Sequence, residues 1–369
     1  MSESTGGESN KSAFYDVQKA MGATFMEEGG WYWTMSFGDA AREFEAIRHG
    51  VGVWDVSPLN KWDFHGPDAL EAAQRLNTND IQGLQVGQVR YGAFTDDDGR
   101  MTDDGTVFKL ADDHAWVMTN SSEHAEEFVE ASKGLNVGID YVIEQMPHLQ
   151  VQGPRSRETL QPVTDTDLAG IRYYWFVPER VKVAGIPVWL SRTGFSGEQG
   201  FELFVDPQNA PDLWQAMLDL RCVPYGTDAV EVARIEAGMV VTDYDYEPHT
   251  VTPYDLSFDR LVKLDRDFRG KDALTGVAAT PRKRLKALRL EGTEVPEYGA
   301  AVTRAGEPVG TLTSPADSPE FGVIGLAVLD AEAAGAGERV DVALGDGMVP
   351  ATVDAGAAVY DPEKRRPRS

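Results

Sequence analysis

The stretch DAAREFEAIRHGVGVWDVSP, residues 39–58, places a helical pattern directly before a strand pattern. Its apolar residues Ala40, Phe44 and Ile47 recur at helical spacing, whereas VGVWDVSP alternates and is rich in β-branched side chains. The spacing therefore predicts a helix over residues 39–49 and a strand after it. This order of elements indicates a chain that mixes helices with strands.

The same change between helical and strand patterns continues along the chain. After the basic run PRKRLK, residues 281–286, the pattern becomes strand-rich. Elements of this kind pack in layers and predict an α+β fold with a C-terminal β domain. The expected elements are helices over 68–76, 123–133, 211–220 and 229–238, a hairpin over 107–118, and three short strands over 173–205.

The composition is that of a large acidic protein. With 369 residues, 42% of them hydrophobic, the chain is long enough for two or three packed units. Its 60 acidic and 34 basic side chains give a formal charge of −26, which disfavours nucleic-acid and membrane partners. Either a salt-rich cytoplasm with an acidic proteome or a coding bias toward GC explains this acidity.

The ends of the chain and its apolar runs indicate a cytoplasmic location. No run approaches the roughly 20 apolar residues of a membrane span. Residues 1–12 lack the basic-then-apolar order of a secretory signal. The Ser/Gly/Glu-rich residues 1–11 are expected to be frayed, with order beginning near Phe14.

Two aspartates mark the first candidate site, in RYGAFTDDDGRMTDDGTVFKL, residues 90–110. A turn accounts for the acidic residues at 96–98, but Asp103 and Asp104 lie where a strand begins and aspartate is disfavoured. Adjacent strand residues point to opposite faces, so one of the two is expected to face a cavity. That carboxylate either takes part in proton transfer or has a surface or capping role.

Glycines shape the second candidate site, SRTGFSGEQGFELFV, residues 191–205. They predict a tight turn with Glu198 at its tip, before a strand that contains Glu202. The loop lacks the Lys-Ser/Thr pair of a phosphate loop and the G-x-S-x-G pattern of a serine hydrolase. No metal site is expected, because the six histidines lack ligand spacing and Cys222 is the single cysteine.

The third candidate site lies in residues 230–265. Arg234 and Glu236 lie on a short, otherwise apolar helix, so at least one of them should be buried and paired. The tyrosines that follow, Tyr244 and Tyr246, either wall a planar ligand or pack in the core.

Seven stretches in the same order resemble the T-protein family of aminomethyltransferases, which also includes folate-dependent demethylases. The resemblance covers nearly the whole chain and implies a three-lobed α+β fold with a central folate channel and a C-terminal β-barrel. It implies a discontinuous folate-binding lobe over 12–60 and 145–275, an inserted lobe over 61–144, and a barrel lobe over 280–362. The stretches are EFEAIRHGVGVWDVS, VRYGAFTDDDGRMTDDGTVFKL, LQVQGPRS, RTGFSGEQGFEL, ARIEAGM, TPYDLSFDRLVKLD with FRGKDAL, and TLTSPADSP.

The resemblance also implies roles for individual residues. Asp104 takes the place of the family's catalytic aspartate, and Glu198 that of the acidic residue that binds the amino-pyrimidine edge of the pterin. Arg234 takes the place of an arginine that lines the folate site. The implied co-substrate is tetrahydrofolate, with no metal, flavin or nucleotide. The other positions that match the folate site are Tyr91, Asn120 and Asp255.

Departures from the glycine-cleavage branch favour a different donor. That branch has a His-Met pair and a second arginine where this chain has Pro58, Leu59 and Val230. We therefore favour a demethylase that moves a methyl group from a small N-, S- or O-methylated donor to tetrahydrofolate. One alternative is a glycine-cleavage aminomethyltransferase that uses an aminomethyl-lipoyl carrier protein, and another is a non-catalytic folate-binding protein. The residues expected to bind a cationic donor, or else to pack as an aromatic core, are Trp31, Trp33, Tyr244 and Tyr246.

Overall fold

The computed structural model describes residues 9–278 and 280–369. Its strands form a two-stranded hairpin, a six-stranded sheet, a five-stranded sheet and a closed six-stranded barrel. This architecture confirms the predicted α+β class and the predicted C-terminal β-barrel. Residues 1–8, part of the segment predicted to be frayed, lie outside the described residues. No helix within the described ranges has the length and apolar character needed to cross a membrane.

The first elements include the helix and strand that the opening stretch predicts. Asp39 precedes the second helix and its side chain accepts a hydrogen bond from the Arg42 main-chain N–H at 3.0 Å, which caps the helix. The first two strands pair as an antiparallel hairpin. The elements are α1 (Tyr15–Ala20), β1 (Thr24–Glu28), β2 (Trp31–Ser36), α2 (Ala40–His49) and β3 (Gly52–Asp55).

One continuous segment forms the five-stranded sheet. Its order is β5-β6-β7-β4-β8, and every neighbouring pair is antiparallel. The hairpin predicted over residues 107–118 is the junction of β6 and β7. The elements are β4 (Asn60–His65), α3 (Ala69–Leu76), β5 (Val89–Thr95), β6 (Met101–Ala111), β7 (His114–Thr119), α4 (Ala125–Ala131) and β8 (Gly138–Tyr141).

The six-stranded sheet takes strands from both sides of that segment. Its order is β10-β11-β12-β9-β3-β13, so β3 pairs with β9 across the whole five-stranded sheet in sequence. The predicted domain boundaries stay a prediction. The elements are β9 (His148–Gln152), α5 (Ser156–Leu160), β10 (Val181–Val183), β11 (Ile186–Ser191), β12 (Gly200–Val205), α6 (Ala210–Asp219), β13 (Val223–Pro224) and α7 (Thr227–Glu236).

Alternation gives the six-stranded sheet one apolar and one polar face. Leu149 and Val151 are fully buried in the core beneath the sheet. Gln150, between them, points to the other face. The strand register places Gln150 opposite both Trp54 and Glu202. These three side chains therefore share the polar face.

The chain ends in the barrel and a tail that returns to the six-stranded sheet. The barrel order is β14-β17-β16-β15-β18-β19, closed by pairing of β14 with β19. Beyond it, Arg192 donates a hydrogen bond to the Pro367 carbonyl at 3.1 Å, which holds the tail against the sheet. The elements are α8 (Lys271–Val277), β14 (Lys283–Leu290), β15 (Ala300–Arg304), β16 (Glu307–Ser318), β17 (Gly322–Asp330), β18 (Arg339–Leu344) and β19 (Gly347–Val353).

Candidate active site

A cavity of about 2140 Å³ lies between the five-stranded sheet, the polar face of the six-stranded sheet and the β1–β2 hairpin. The connection between two barrel strands and the C-terminal tail complete its walls, through Tyr298 and Lys364 respectively. The cavity is therefore built from parts of the chain that are far apart in sequence. Of the predicted site residues, those that line it are Asp104, Tyr91, Asn120, Trp33 and Tyr244.

Asp104 lies on β6 and faces the cavity, while Asp103 points away from it, as the alternation of a strand requires. The Asp104 carboxylate accepts hydrogen bonds from the Tyr91 hydroxyl at 2.8 Å and the Tyr246 hydroxyl at 2.5 Å. Thr242 Oγ1 lies 3.3 Å from the same carboxylate. Three hydroxyl groups thus fix the position of Asp104.

The pKa of Asp104 is raised toward neutral pH. Burial and then the adjacent charge of Asp103 raise the pKa of Asp104 to about 7. The hydroxyls of Tyr246, Tyr91 and Thr242 act in the opposite direction by hydrogen bonding. A carboxyl group that changes its charge near pH 7 is suited to take and release a proton.

Asp103, which points away from the cavity, accepts hydrogen bonds from several donors. Its carboxylate accepts hydrogen bonds from the main-chain N–H groups of Asn120 and Ser121, both at 2.9 Å. The Asn120 side chain donates to Asp103 at 2.8 Å and to the Asp104 carbonyl at 2.9 Å. Asn120 therefore lines the cavity and also fixes the aspartate pair.

Glu202 is the carboxylate that the six-stranded sheet presents to the cavity. It accepts hydrogen bonds from the Gln150 amide at 2.7 Å and from the Thr193 hydroxyl. Burial raises the pKa of Glu202, while those two hydrogen bonds and the charge of Lys61 lower it. The sequence places Glu202 in a strand but gives no sign of which face it occupies.

The structure places Glu198 away from the cavity, which corrects its predicted position. Its carboxylate lies 3.8 Å from the Arg48 guanidinium and 3.3 Å from that of Arg366. The Tyr360 hydroxyl donates a third contact. Only 1% of the Glu198 side chain is exposed, so these partners seal it between the sheet and the C-terminal tail.

Arg234 and Asp255 are also absent from the cavity wall. Arg234 is fully buried on α7, with its guanidinium 2.6 Å from Asp245 and 2.8 Å from the Ser314 hydroxyl. Asp255 accepts a hydrogen bond from the Thr252 main-chain N–H at 2.8 Å and stabilises its own loop. Glu236 is buried as well and pairs with Arg48, so both charges predicted on α7 are buried and paired.

The four aromatic residues expected at the donor site divide into two groups. Trp33 and Tyr244 line the cavity, and the Trp33 ring packs 6.1 Å from that of Trp54. Tyr246 contacts Asp104 through its hydroxyl but is otherwise buried in the core. Trp31 is buried and is not among the residues that line the cavity.

Basic residues that the sequence analysis did not single out form a cationic end of the cavity. Burial raises the pKa of Tyr173, which also lines the cavity, to about 12, while the positive charges of Arg368 and Arg192 lower it. Burial lowers the pKa of the Lys364 ammonium, and the positive charge of Arg368 lowers it further. The cationic end is the set of Arg172, Arg192, Lys364 and Arg368.

Two family models match the chain. The model described as GCVT N-terminal domain matches residues 14–266, and the model described as Glycine cleavage T-protein C-terminal barrel domain matches residues 283–361. The chain belongs to the glycine cleavage T-protein family. The predicted family is thereby confirmed, and the two T-protein models together span the large sheets and the barrel.

Similar members of the T-protein family are named for one activity. An aminomethyltransferase from Streptomyces avermitilis is 35% identical over 345 residues, which cover 88% of this chain and 91% of that protein. A probable aminomethyltransferase from Haloarcula marismortui is 35% identical over 318 residues, 83% of this chain and 86% of that protein.

A solved structure shows the same T-protein fold. It is the glycine cleavage system aminomethyltransferase T from Bartonella henselae, with a TM-score of 0.85 over 94% of this chain and 97% of that one. The sequence identity is 21%, so this comparison concerns the fold alone. It confirms the predicted T-protein-like architecture.

Proposed function

We propose that this protein is a tetrahydrofolate-dependent aminomethyltransferase that receives its one-carbon unit from an aminomethyl-lipoyl carrier protein. The observation that carries the proposal is Asp104, a cavity carboxylate whose pKa of about 7 suits proton transfer at neutral pH. The names of the relatives support this reaction better than the demethylase that we favoured on the sequence alone.

Glu202 fits the pterin of tetrahydrofolate. The amino-pyrimidine edge of a pterin carries an N–H beside an NH₂ group, and a carboxylate accepts both in parallel hydrogen bonds. Glu202 offers that carboxylate to the cavity, whereas Glu198 is sealed by its own cationic partners. We therefore assign to Glu202 the role that the family resemblance implies for Glu198.

The cationic end fits the other end of the same molecule. Tetrahydrofolate ends in a glutamate, whose carboxylates carry negative charge. With the pterin on Glu202, Lys364 and Arg368, which line the same cavity, would hold those carboxylates. This orientation places hydrogen-bond donors against a carboxylate at one end of the ligand and opposite charges together at the other.

Asp104 supplies the acid–base chemistry in this proposal. When bound, tetrahydrofolate supplies the nitrogens that accept the one-carbon unit. Ionised Asp104 attracts the cationic amine of the donor and receives a proton released during the transfer. Overall, the methylene carbon leaves the sulfur and the amine of the lipoyl arm and bonds to folate, giving 5,10-methylene-tetrahydrofolate, ammonia and the reduced lipoyl dithiol.

The residues that depart from the glycine-cleavage pattern remain compatible with a carrier arm. Pro58, Leu59 and Val230 all line the cavity, where they provide apolar wall. A lipoyl arm is itself largely apolar, so such a wall favours its entry.

The test supplies purified protein with tetrahydrofolate and either aminomethyl-lipoyl carrier protein or small donors such as dimethylglycine, and identifies products by mass spectrometry. We expect 5,10-methylene-tetrahydrofolate from the carrier, and its loss in Asp104→Asn with folate binding retained. A 5-methyl product from a small donor would overturn the proposal in favour of a demethylase. Folate binding without product from any donor would indicate a non-catalytic binding protein.

A further inference from the structure

His124 stands between two carboxylates directly behind the aspartate pair. Its Nε2 lies 2.8 Å from Asp103, and its Nδ1 lies 2.9 Å from Glu127. The His124 side chain is 7% exposed, and its ring stacks on the Phe128 ring at 5.4 Å and 11°. Neither the sequence patterns nor the family resemblance singles out this histidine.

The geometry determines which form of the ring is present. A neutral imidazole has one N–H and can donate to one carboxylate only, whereas the imidazolium donates from both nitrogens. Asp103 has no proton to offer His124, because it also accepts hydrogen bonds from two main-chain N–H groups and the Asn120 amide. Glu127 is likewise an acceptor, because the Arg269 guanidinium pairs with it at 3.0 Å. His124 therefore carries a positive charge between two negative ones.

The surroundings of His124 hold this arrangement in place. Arg269, from the loop before α8, lies 3.0 Å from Glu127 and balances its charge. Asp243, from the loop after α7, and Glu123, beside His124 in sequence, are the further charged groups at this corner of the cavity. A continuous series of alternating charges thus runs from Arg269 to Asp103, which is adjacent to Asp104.

We propose that His124 is a positioning residue for the transfer reaction: as an imidazolium it neutralises Asp103 and thereby sets the pH at which Asp104 loses its proton. The proposal rests on the proposed function, in which Asp104 is the catalytic carboxylate. Without the imidazolium, Asp104 would have to ionise beside an uncompensated carboxylate. Two like charges so close keep a proton on one of the groups.

The test replaces His124 by glutamine, which keeps a hydrogen-bond donor and removes the charge. We expect His124→Gln to lower kcat at pH 7 by about fivefold, because loss of an opposite charge raises the pKa of a carboxyl group by about one unit, and a carboxyl that is half ionised at pH 7 then becomes about one-tenth ionised. The rising limb of the rate profile should move to higher pH, so that kcat recovers at about pH 8.5. The KM for tetrahydrofolate should stay at the wild-type value.

The matched control is His114→Gln. His114 also pairs with a carboxylate, Asp63 at 2.5 Å, on the same five-stranded sheet, but neither residue lines the cavity. The control removes the same kind of pair and should leave the pH profile of kcat unchanged. If His124→Gln does not fold, Glu127→Gln tests the same series of charges, because it removes one negative charge and keeps the His124 ring. The rising limb of its rate profile should also move to higher pH.

A measurement without turnover completes the test. Burial lowers the pKa of His124, but its bonds to Asp103 and Glu127 prevail and raise it to about 9. Nitrogen NMR of histidine-labelled protein should therefore show both His124 nitrogens protonated at pH 7. A neutral ring, or a loss of kcat with an unshifted pH profile, would overturn the proposal. Absence of product from the wild type would overturn the proposed function instead. The NMR signal would then still show whether His124 is an imidazolium.

Discussion

Glu198 and Glu202 are four positions apart in one glycine-rich loop and strand, and they have opposite surroundings. Glu202 faces the cavity with neutral partners, whereas Glu198 is enclosed by cations. We predict that Glu202→Gln weakens tetrahydrofolate binding by about 10- to 100-fold, because one charge-assisted pair of hydrogen bonds is lost. Calorimetric titration with tetrahydrofolate measures the change.

The matching variant is Glu198→Gln. It should leave the folate affinity near the wild-type value and lower the free energy of unfolding by about 1–3 kcal/mol, because Arg48 and Arg366 lose a buried partner. Chemical denaturation measures this loss. If Glu198→Gln weakened folate binding more than Glu202→Gln, the roles of the two glutamates would be reversed.

Asp104 and His124 also make stability depend on pH. The folded-state pKa of Asp104 is raised from 3.8 to about 7, and that of His124 from 6.5 to about 9. Each group therefore stabilises the fold fully below its unfolded pKa, and this contribution is lost as pH rises through the folded value. We predict that the free energy of unfolding falls between about pH 4 and 7 by up to ~1.4 kcal/mol per pH unit from Asp104.

Asp104→Asn isolates this contribution, because the amide does not titrate. Its free energy of unfolding should decline less than that of the wild type between about pH 4 and 7, and in parallel with it at higher pH, where His124 titrates. Urea denaturation at a series of pH values makes the comparison. Identical pH dependence in the two proteins would show that Asp104 does not have the raised pKa.

At the scale of one element, β6 depends on a glycine next to Asp104. A Cβ atom added at Gly105 would lie 2.0 Å from the Met118 carbonyl oxygen in β7. We predict that Gly105→Ala forces the two strands apart, costs about 1–3 kcal/mol of stability and lowers kcat by moving Asp104. Thermal unfolding and the transfer assay measure both effects.

Gly276 provides the comparison, since it lies within α8 and an added Cβ would meet nothing within 4 Å. Gly276→Ala should raise stability by about 0.5–1 kcal/mol, because alanine loses less backbone entropy in a helix. It should leave kcat unchanged. Equal effects of the two substitutions would mean that the contact with β7 is unimportant.

The elements themselves were largely predictable from sequence, because their signals are local. The spacing of Ala40, Phe44 and Ile47 predicts α2, and the alternation around Val53 predicts β3. The strand period also predicts that only one of Asp103 and Asp104 faces the cavity. The orientation of Glu202 was not predictable, because it depends on pairing with Gln150, some fifty positions earlier.

At the scale of the whole molecule, the cavity unites residues that no local pattern connects. Arg172 precedes β10, whereas Lys364 and Arg368 follow the barrel, and only the return of the tail brings them together. The same tail seals Glu198. Contacts made by the returning tail therefore explain why local sequence patterns reveal neither the cationic end nor the enclosure of Glu198.

The cationic end leads to a prediction about the folate tail. Lys364→Ala should weaken tetrahydrofolate binding by up to about fivefold, or ~1 kcal/mol, because one attraction for the glutamate carboxylates is lost. Added salt should reduce this difference. Binding of tetrahydropteroate, which lacks the glutamate, should stay unchanged, and titration calorimetry compares the two ligands.

Arg365→Ala is the control from the same tail. Arg365 pairs with Glu363, its side chain is 79% exposed, and it does not line the cavity. It should bind both ligands as the wild type does. If Lys364→Ala affected tetrahydropteroate and tetrahydrofolate equally, the tail carboxylates would lie elsewhere.

The pairing of β3 with β9 across the whole five-stranded sheet has a consequence for how the chain is made. During synthesis, residues 60–141 emerge as one continuous stretch that contains all five strands of the sheet. β3 leaves the ribosome earlier, yet its partner, His148–Gln152, appears only after that stretch is complete. The five-stranded sheet therefore brings β3 and β9 close together and shortens the search that a distant strand pair otherwise requires.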